Sequence, residues 1–191
     1  MKLLAAGLIG LLAIGAIASV VMLQHKPSGP PPDPVPRMLS AARTGDAETL
    51  EAIVRGGTSV DARDPLGVSP LMAASWAGQT TTAQTLMMLQ ANACLGDVQG
   101  QTALMGAAFA GHLELVKLLL TKPCPVDAQD KTGKTALMFA SLGHHADAAA
   151  LIEKAGARKD LKDAEGKSAD DLAKAGVPAA TPFKWAAAPA Q

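Results

Sequence analysis

Apolar positions in this chain come in blocks that return every 33 residues. Each block opens with a run such as Ser69-Pro70-Leu71-Met72-Ala73-Ala74 and continues into a second run such as Leu113-Glu114-Leu115-Val116-Lys117-Leu118-Leu119-Leu120. In the second run Glu114 and Lys117 share one wet face, so the spacing predicts an amphipathic helix. Across blocks the columns are fixed. Leu71, Leu104 and Leu137, with Met38 in the same place earlier, are predicted to face a core. Ala41, Ala74, Ala107, Ala140 and Ala173 are small enough for neighbouring helices to approach closely, and Ile53, Leu86, Leu119 and Ile152 form the core column of the second helix.

The punctuation between runs repeats with the same period. Asp64, Asp97, Asp130 and Asp163 each precede a glycine by three residues (Gly67, Gly100, Gly133, Gly166), which reads as a turn whose Asp bonds local backbone. Two residues after each glycine stands Ser69, Thr102, Thr135 or Ser168, a helix N-cap. Gly45, Gly78 and Gly111 are placed to end the first helix. Each unit is therefore turn, helix, turn, helix, and the predicted class is all-α.

Ser69-Pro70-Leu71-Met72-Ala73-Ala74, Thr102-Ala103-Leu104-Met105-Gly106-Ala107 and Thr135-Ala136-Leu137-Met138-Phe139-Ala140 resemble the Thr-Pro-Leu-His-x-Ala signature of ankyrin repeats. Gly111-His112-Leu113 through Leu120 and Val126-Asp127-Ala128-Gln129-Asp130 are similar to the rest of that repeat. The resemblance implies an ankyrin solenoid with units at about 37–66, 67–99, 100–132 and 133–165, closed by a cap at 166–176. The family's His is Met72, Met105 and Met138 here, which exchanges a hydrogen bond for thioether packing. His144 stands in the glycine column with Gly143 one place early, so an irregular helix end is expected there. Asp170 and Asp171 replace Leu and Met in the last unit, making it a polar closing cap of the kind an array needs; Arg43, Glu48 and Glu51 suit the opposite cap.

Outside the repeats the composition changes. From Leu3 to Leu23 the chain is apolar except for Ser19, 21 residues behind Lys2 and long enough to cross a bilayer. Residues 1–24 read as an export signal or, because the run outlasts a usual signal core, an uncleaved membrane anchor; cleavage after Ala18 is the alternative. Residues 25–36, with six prolines between Pro27 and Pro36, read as an extended spacer, and 177–191 as an Ala/Pro-rich tail with Phe183 and Trp185. The expected location is the periplasmic side of a bacterial inner membrane. Cys94 and Cys124 are the only cysteines. Export would permit a bond, but their unequal places in consecutive units also suit buried free thiols.

Seventeen basic and seventeen acidic residues cancel without a basic run, which argues against nucleic acid. Hydrophobic content is 49% with only 3% aromatic residues, so helix-rich packing of small side chains is expected. The resemblance implies binding through turn tips and inner helices, which carries over to Leu66, Val68, Val98, Gln99, Gln101, Lys131 and Lys134 on the tips, beside Pro65 and Thr132. At the inner-helix ends the column reads Arg43, Trp76, Phe109 and Leu142, expected to be exposed side by side, the alternative being that Phe109 and Leu142 only pack between repeats; Trp and Arg are enriched in binding hot spots. Enzyme-like patterns fall away. His144 and His145 are adjacent and point apart, and Gly133-Lys134-Thr135 lacks the strand and opening glycine of a phosphate loop. No cofactor, metal, small-molecule substrate or catalytic residue is expected. The expected protein is a monomer that binds another protein: an inhibitor or immunity factor for a secreted effector, or an accessory to an exported enzyme. The rival reading is a structural spacer in the envelope.

Overall fold

The computed structural model describes residues 33–175. Four helix pairs follow one another: α1 (Pro34–Thr44) with α2 (Ala47–Arg55), α3 (Pro70–Trp76) with α4 (Thr80–Met88), α5 (Ala103–Ala110) with α6 (Leu113–Leu120), and α7 (Ala136–Leu142) with α8 (Ala146–Lys154). A single helix, α9 (Ala169–Lys174), closes the series. Inner helices pack on inner helices in the order α1, α3, α5, α7, α9, and the outer helices α2, α4, α6 and α8 do likewise. Among the described residues the one piece of β pairing is an isolated antiparallel bridge between Gly96 and Thr102.

The helices begin where the capping chemistry lies. Ser69, Thr102, Thr135 and Ser168 each sit in extended backbone and accept from the amide three residues on. The Met that replaces the family's His keeps a weak version of the lost bond in one unit, where the Thr102 N–H meets Met105 Sδ at 3.4 Å. In the last unit Asp171 takes the methionine's place, and its Oδ2 accepts from both Ser168 N (3.1 Å) and Ser168 Oγ (2.7 Å). The first helix starts inside the stretch expected to be spacer. Asp33 caps it by accepting from Val35, and Pro34 and Pro36 fall in the first turn, whose amides have no helical partner to lose.

Packing follows the columns except at Leu104 and at the two ends of the array, where Ile53 is half-buried and Ala173 is exposed. Met38, Leu71 and Leu137 are fully buried, as are Leu86 and Ile152 on the outer helices. Leu104 is only half-buried, because it borders a cavity of about 260 Å³ lined also by Leu119, Val126 and both cysteines. Among the described residues no helix is long and apolar enough to cross a membrane. The apolar run at 3–23, most of the spacer at 25–36 and the tail at 177–191 lie outside them.

Candidate partner-binding face

Each tip is built by one aspartate. Asp97 Oδ1 accepts from the amides of Gln99 (2.8 Å) and Gln101 (2.9 Å), while its own N–H donates to the Gln101 carbonyl at 2.9 Å. Asp64, Asp130 and Asp163 repeat this arrangement, so one oxygen of each carboxylate is engaged by the backbone of its own turn. Successive tips are then tied backbone to backbone: Val98 N donates to Leu66 O (2.9 Å), Lys131 N to Gln99 O (2.8 Å) and Ala164 N to Thr132 O (2.9 Å). The closeness constrains the turn glycine. A Cβ on Gly67, at φ 80°, would stand 3.0 Å from the Val98 nitrogen.

This geometry sorts the expected tip residues. Leu66 and Val98 are exposed apolar side chains at 41% and 42%, and Lys131 is exposed with Gln99 half-exposed beside it. Val68 and Gln101 are corrections: both are buried, at 0% and 5%. Each lies just past the turn glycine, where the chain already runs down into the core to meet the helix cap. Lys134 is a further correction, for it is not a free tip cation. Its Nζ lies 3.0 Å from Asp163 Oδ2 and 3.1 Å from Glu165 Oε2 in the next tip, and its side chain is 17% exposed. Burial alone would raise the Asp163 carboxyl, but the Lys167 amide and the Lys134 ammonium outweigh it and hold the group below the ordinary carboxylate value. Burial also works to lower the Lys134 ammonium, and the two carboxylates overcome that and raise it.

At the inner-helix ends the structure brings Trp76 and Phe109 together. The rings stack with centroids 5.7 Å apart and planes 11° from parallel, and both are half-exposed. Arg43 precedes them, also half-exposed. Leu142 departs from the expected stripe, since it is taken into the core at 8% exposure on the helix that α9 closes over. The ring that extends the stack is instead Phe139, edge-on to Phe109 at 6.5 Å and fully buried. Phe139 occupies the column of Ala73 and Gly106, and a large ring in a column of small residues was the legible signal for it.

Polar clamps hold this row in place. Gln79 Nε2 donates to the Arg43 carbonyl at 3.0 Å, and His112, one unit on, donates from Nε2 to the Trp76 carbonyl at 3.1 Å. Each clamp satisfies a helix-end carbonyl of the preceding unit and fixes the backbone that carries the exposed side chain. The two histidines at 144 and 145 belong to this scheme as well. The helix end expected to be irregular keeps the backbone of the earlier units, His144 taking the left-handed conformation of the glycine column (φ 56°), and His145 lies over Gly111. Among the described residues no three His, Cys, Asp or Glu side chains gather as metal ligands.

The cysteines are joined: Cys94 and Cys124, 30 residues apart, form a disulfide with Cα atoms 5.3 Å apart. Unequal column positions, which had suited free thiols, turn out to be what brings the pair together. Each segment between outer helix and tip contacts the next, so a residue late in one segment faces a residue early in the following one.

Stacked two-helix units joined by bonded tips, with caps at both ends, define a repeat solenoid, a class that buries its core between neighbouring units and leaves long surfaces for partners. Residues 88–163 match the family model for ankyrin repeats (3 copies), and this stretch of the chain is built of ankyrin repeats. No curated protein matches the chain. Ankyrin repeats are generally protein-protein interaction modules and typically non-catalytic.

Proposed function

We propose that this protein binds another protein through the Trp76–Phe109 stack, with Arg43 beside it and the tip residues Leu66, Val98, Gln99 and Lys131. The observation that carries the reading is the stack itself. Two rings from consecutive units stack near-parallel, the helix end that carries Trp76 being clamped by His112, yet both are left half-exposed in a chain with only 3% aromatic residues. Rigid aromatic anchors of this kind contribute contact area at little entropic cost. An inhibitory or accessory grip on an exported protein fits best. The disulfide supports an oxidising compartment, and the apolar run at 3–23 supports export or anchoring with the repeats on the periplasmic side. A pure spacer would have no use for an exposed stack.

Cross-linking in the native envelope, followed by identification of what is captured, tests the reading. The captured protein should lose at least about 2 kcal/mol of affinity for Trp76→Ala or Phe109→Ala. Affinity unchanged in both variants would leave the spacer as the better account.

A further inference from the structure

The three junctions between successive tips are fastened in two different ways. Asp61 Oδ1 accepts from the Asn92 amide at 3.0 Å, and Asp127 Oδ1 accepts from the Arg158 amide at 3.0 Å, both across 31 residues. These two bonds tie the root of one tip to the root of the next. At the middle junction the same columns hold Cys94 in place of Asp, and Pro125 in place of Asn92 or Arg158. Proline has no N–H to donate. The hydrogen bond of the flanking junctions is therefore chemically impossible there, and the disulfide from Cys94 to Cys124, the neighbour of Pro125, fills its place.

We propose that the Cys94–Cys124 disulfide is a positioning element of the recognition face: it holds the tips carrying Val98, Gln99 and Lys131 in register, so that partner binding belongs to the oxidised chain. This rests on the reading of those tips as part of the face. A dithiol reductant transfers two electrons and two protons to the bond, leaving two thiols here and the reductant as its own disulfide. Once reduced, these two columns offer neither the carboxylate nor the N–H that fastens the flanking junctions. The junction's one remaining backbone tie at the tips is Lys131 N to Gln99 O, at 2.8 Å. The junction on the carboxyl side keeps both its Asp127 bond and the Lys134 ion pairs, and that on the amino side keeps Asp61.

The test needs no knowledge of the partner. Amide exchange is followed on the full-length chain in detergent, with and without dithiothreitol. Reduction should speed exchange of the Lys131 amide by about tenfold or more, as in a locally opening segment, while the Val98 and Ala164 amides stay as slow as before. The chain carrying Cys94→Asp, Cys124→Ala and Pro125→Asn recreates the Asp61–Asn92 arrangement. It should protect Lys131 with no disulfide and ignore the reductant. A Lys131 amide indifferent to reduction overturns the proposal, and so does equal acceleration at all three tips, which would mean general loosening. With the captured partner, binding should fail in the reduced natural chain and persist in the reduced triple variant. Binding that is lost in Trp76→Ala but survives reduction overturns this proposal alone, whereas binding that survives both overturns the face itself.

Discussion

The amino-terminal half of the inner-helix row, from Arg43 to Phe109, and the carboxyl-terminal half, from Lys134 to α9, share one backbone repeat and end in opposite states. In the first half Trp76 and Phe109 stack on each other and stay half-exposed. In the second, Phe139 and Leu142 are drawn into the core, Lys134 is occupied by two carboxylates, and Asp171 of the last helix accepts from that helix's own cap, Ser168. A column position therefore sets where a side chain starts. What the neighbouring unit offers decides whether it remains available to a partner.

The largest expected contrast is between two phenylalanines in ring contact. Phe139→Ala empties a fully buried site and should cost about 3 to 5 kcal/mol in denaturant unfolding. Phe109→Ala removes a half-exposed ring, so the same measurement should show well under half of that loss, with its main effect on partner affinity. Equal losses would erase the distinction between an anchoring ring and a recognition ring. Next in size is the fastening at the border of the two halves. Replacing both cysteines by serine should cost about 3 to 4 kcal/mol, the loop-closure entropy of a 30-residue separation, measured against the oxidised chain.

Much of this was legible before any geometry, because repetition multiplies weak signals. One Asp-x-x-Gly is an ordinary turn, but four at intervals of 33 fixed the tips, the caps and both core columns in register. The site was less legible, since exposure depends on contacts between units that no single column reports. Val68 and Gln101 lie two or three residues from true tip positions and are buried. Leu142 shares a column with Trp76 and is buried as well. The disulfide was readable in retrospect from columns set side by side: a cysteine among aspartates at 61, 127 and 160, facing a proline where its neighbours carry a donor.

The ion pair of the locked half can be tested without emptying space. Asp163→Asn keeps an oxygen for the Glu165 and Lys167 amides but removes the charge beside Lys134, and should cost about 1.5 to 3 kcal/mol near neutral pH. Because the Asp163 carboxyl is lowered in the fold, its contribution is complete above the unfolded value of about 3.9 and fades as pH falls through the lower folded value. Lys134, raised in the fold, contributes fully below its unfolded value of about 10.4 and loses that contribution as pH rises through the folded one. Urea unfolding across pH should therefore show natural chain and variant converging at the acid end. A constant gap between them would remove the ion pair from the account of the locked half.

The smallest effect concerns the helix end that sets the fourth unit apart. The inner helices of the first three units are followed by Gly45, Gly78 and Gly111 in left-handed backbone, and the fourth puts His144 there at φ 56°. An L-residue pays about 1 to 2 kcal/mol in that region, part of which glycine returns through its greater freedom in the unfolded chain. His144→Gly should then stabilise by about 0.5 to 1 kcal/mol, read as a rise in the urea midpoint at constant slope. Restoring the regular order in full, with Gly143→Ala added, should reverse that gain. A Cβ at position 143 would run into the Phe109 carbonyl oxygen and the His145 ring. The early glycine is thus a packing requirement of the junction with α5, and the strained His144 is its consequence. If the double variant proves more stable than the single one, the fourth unit departs from its neighbours by sequence alone and not by the way it packs.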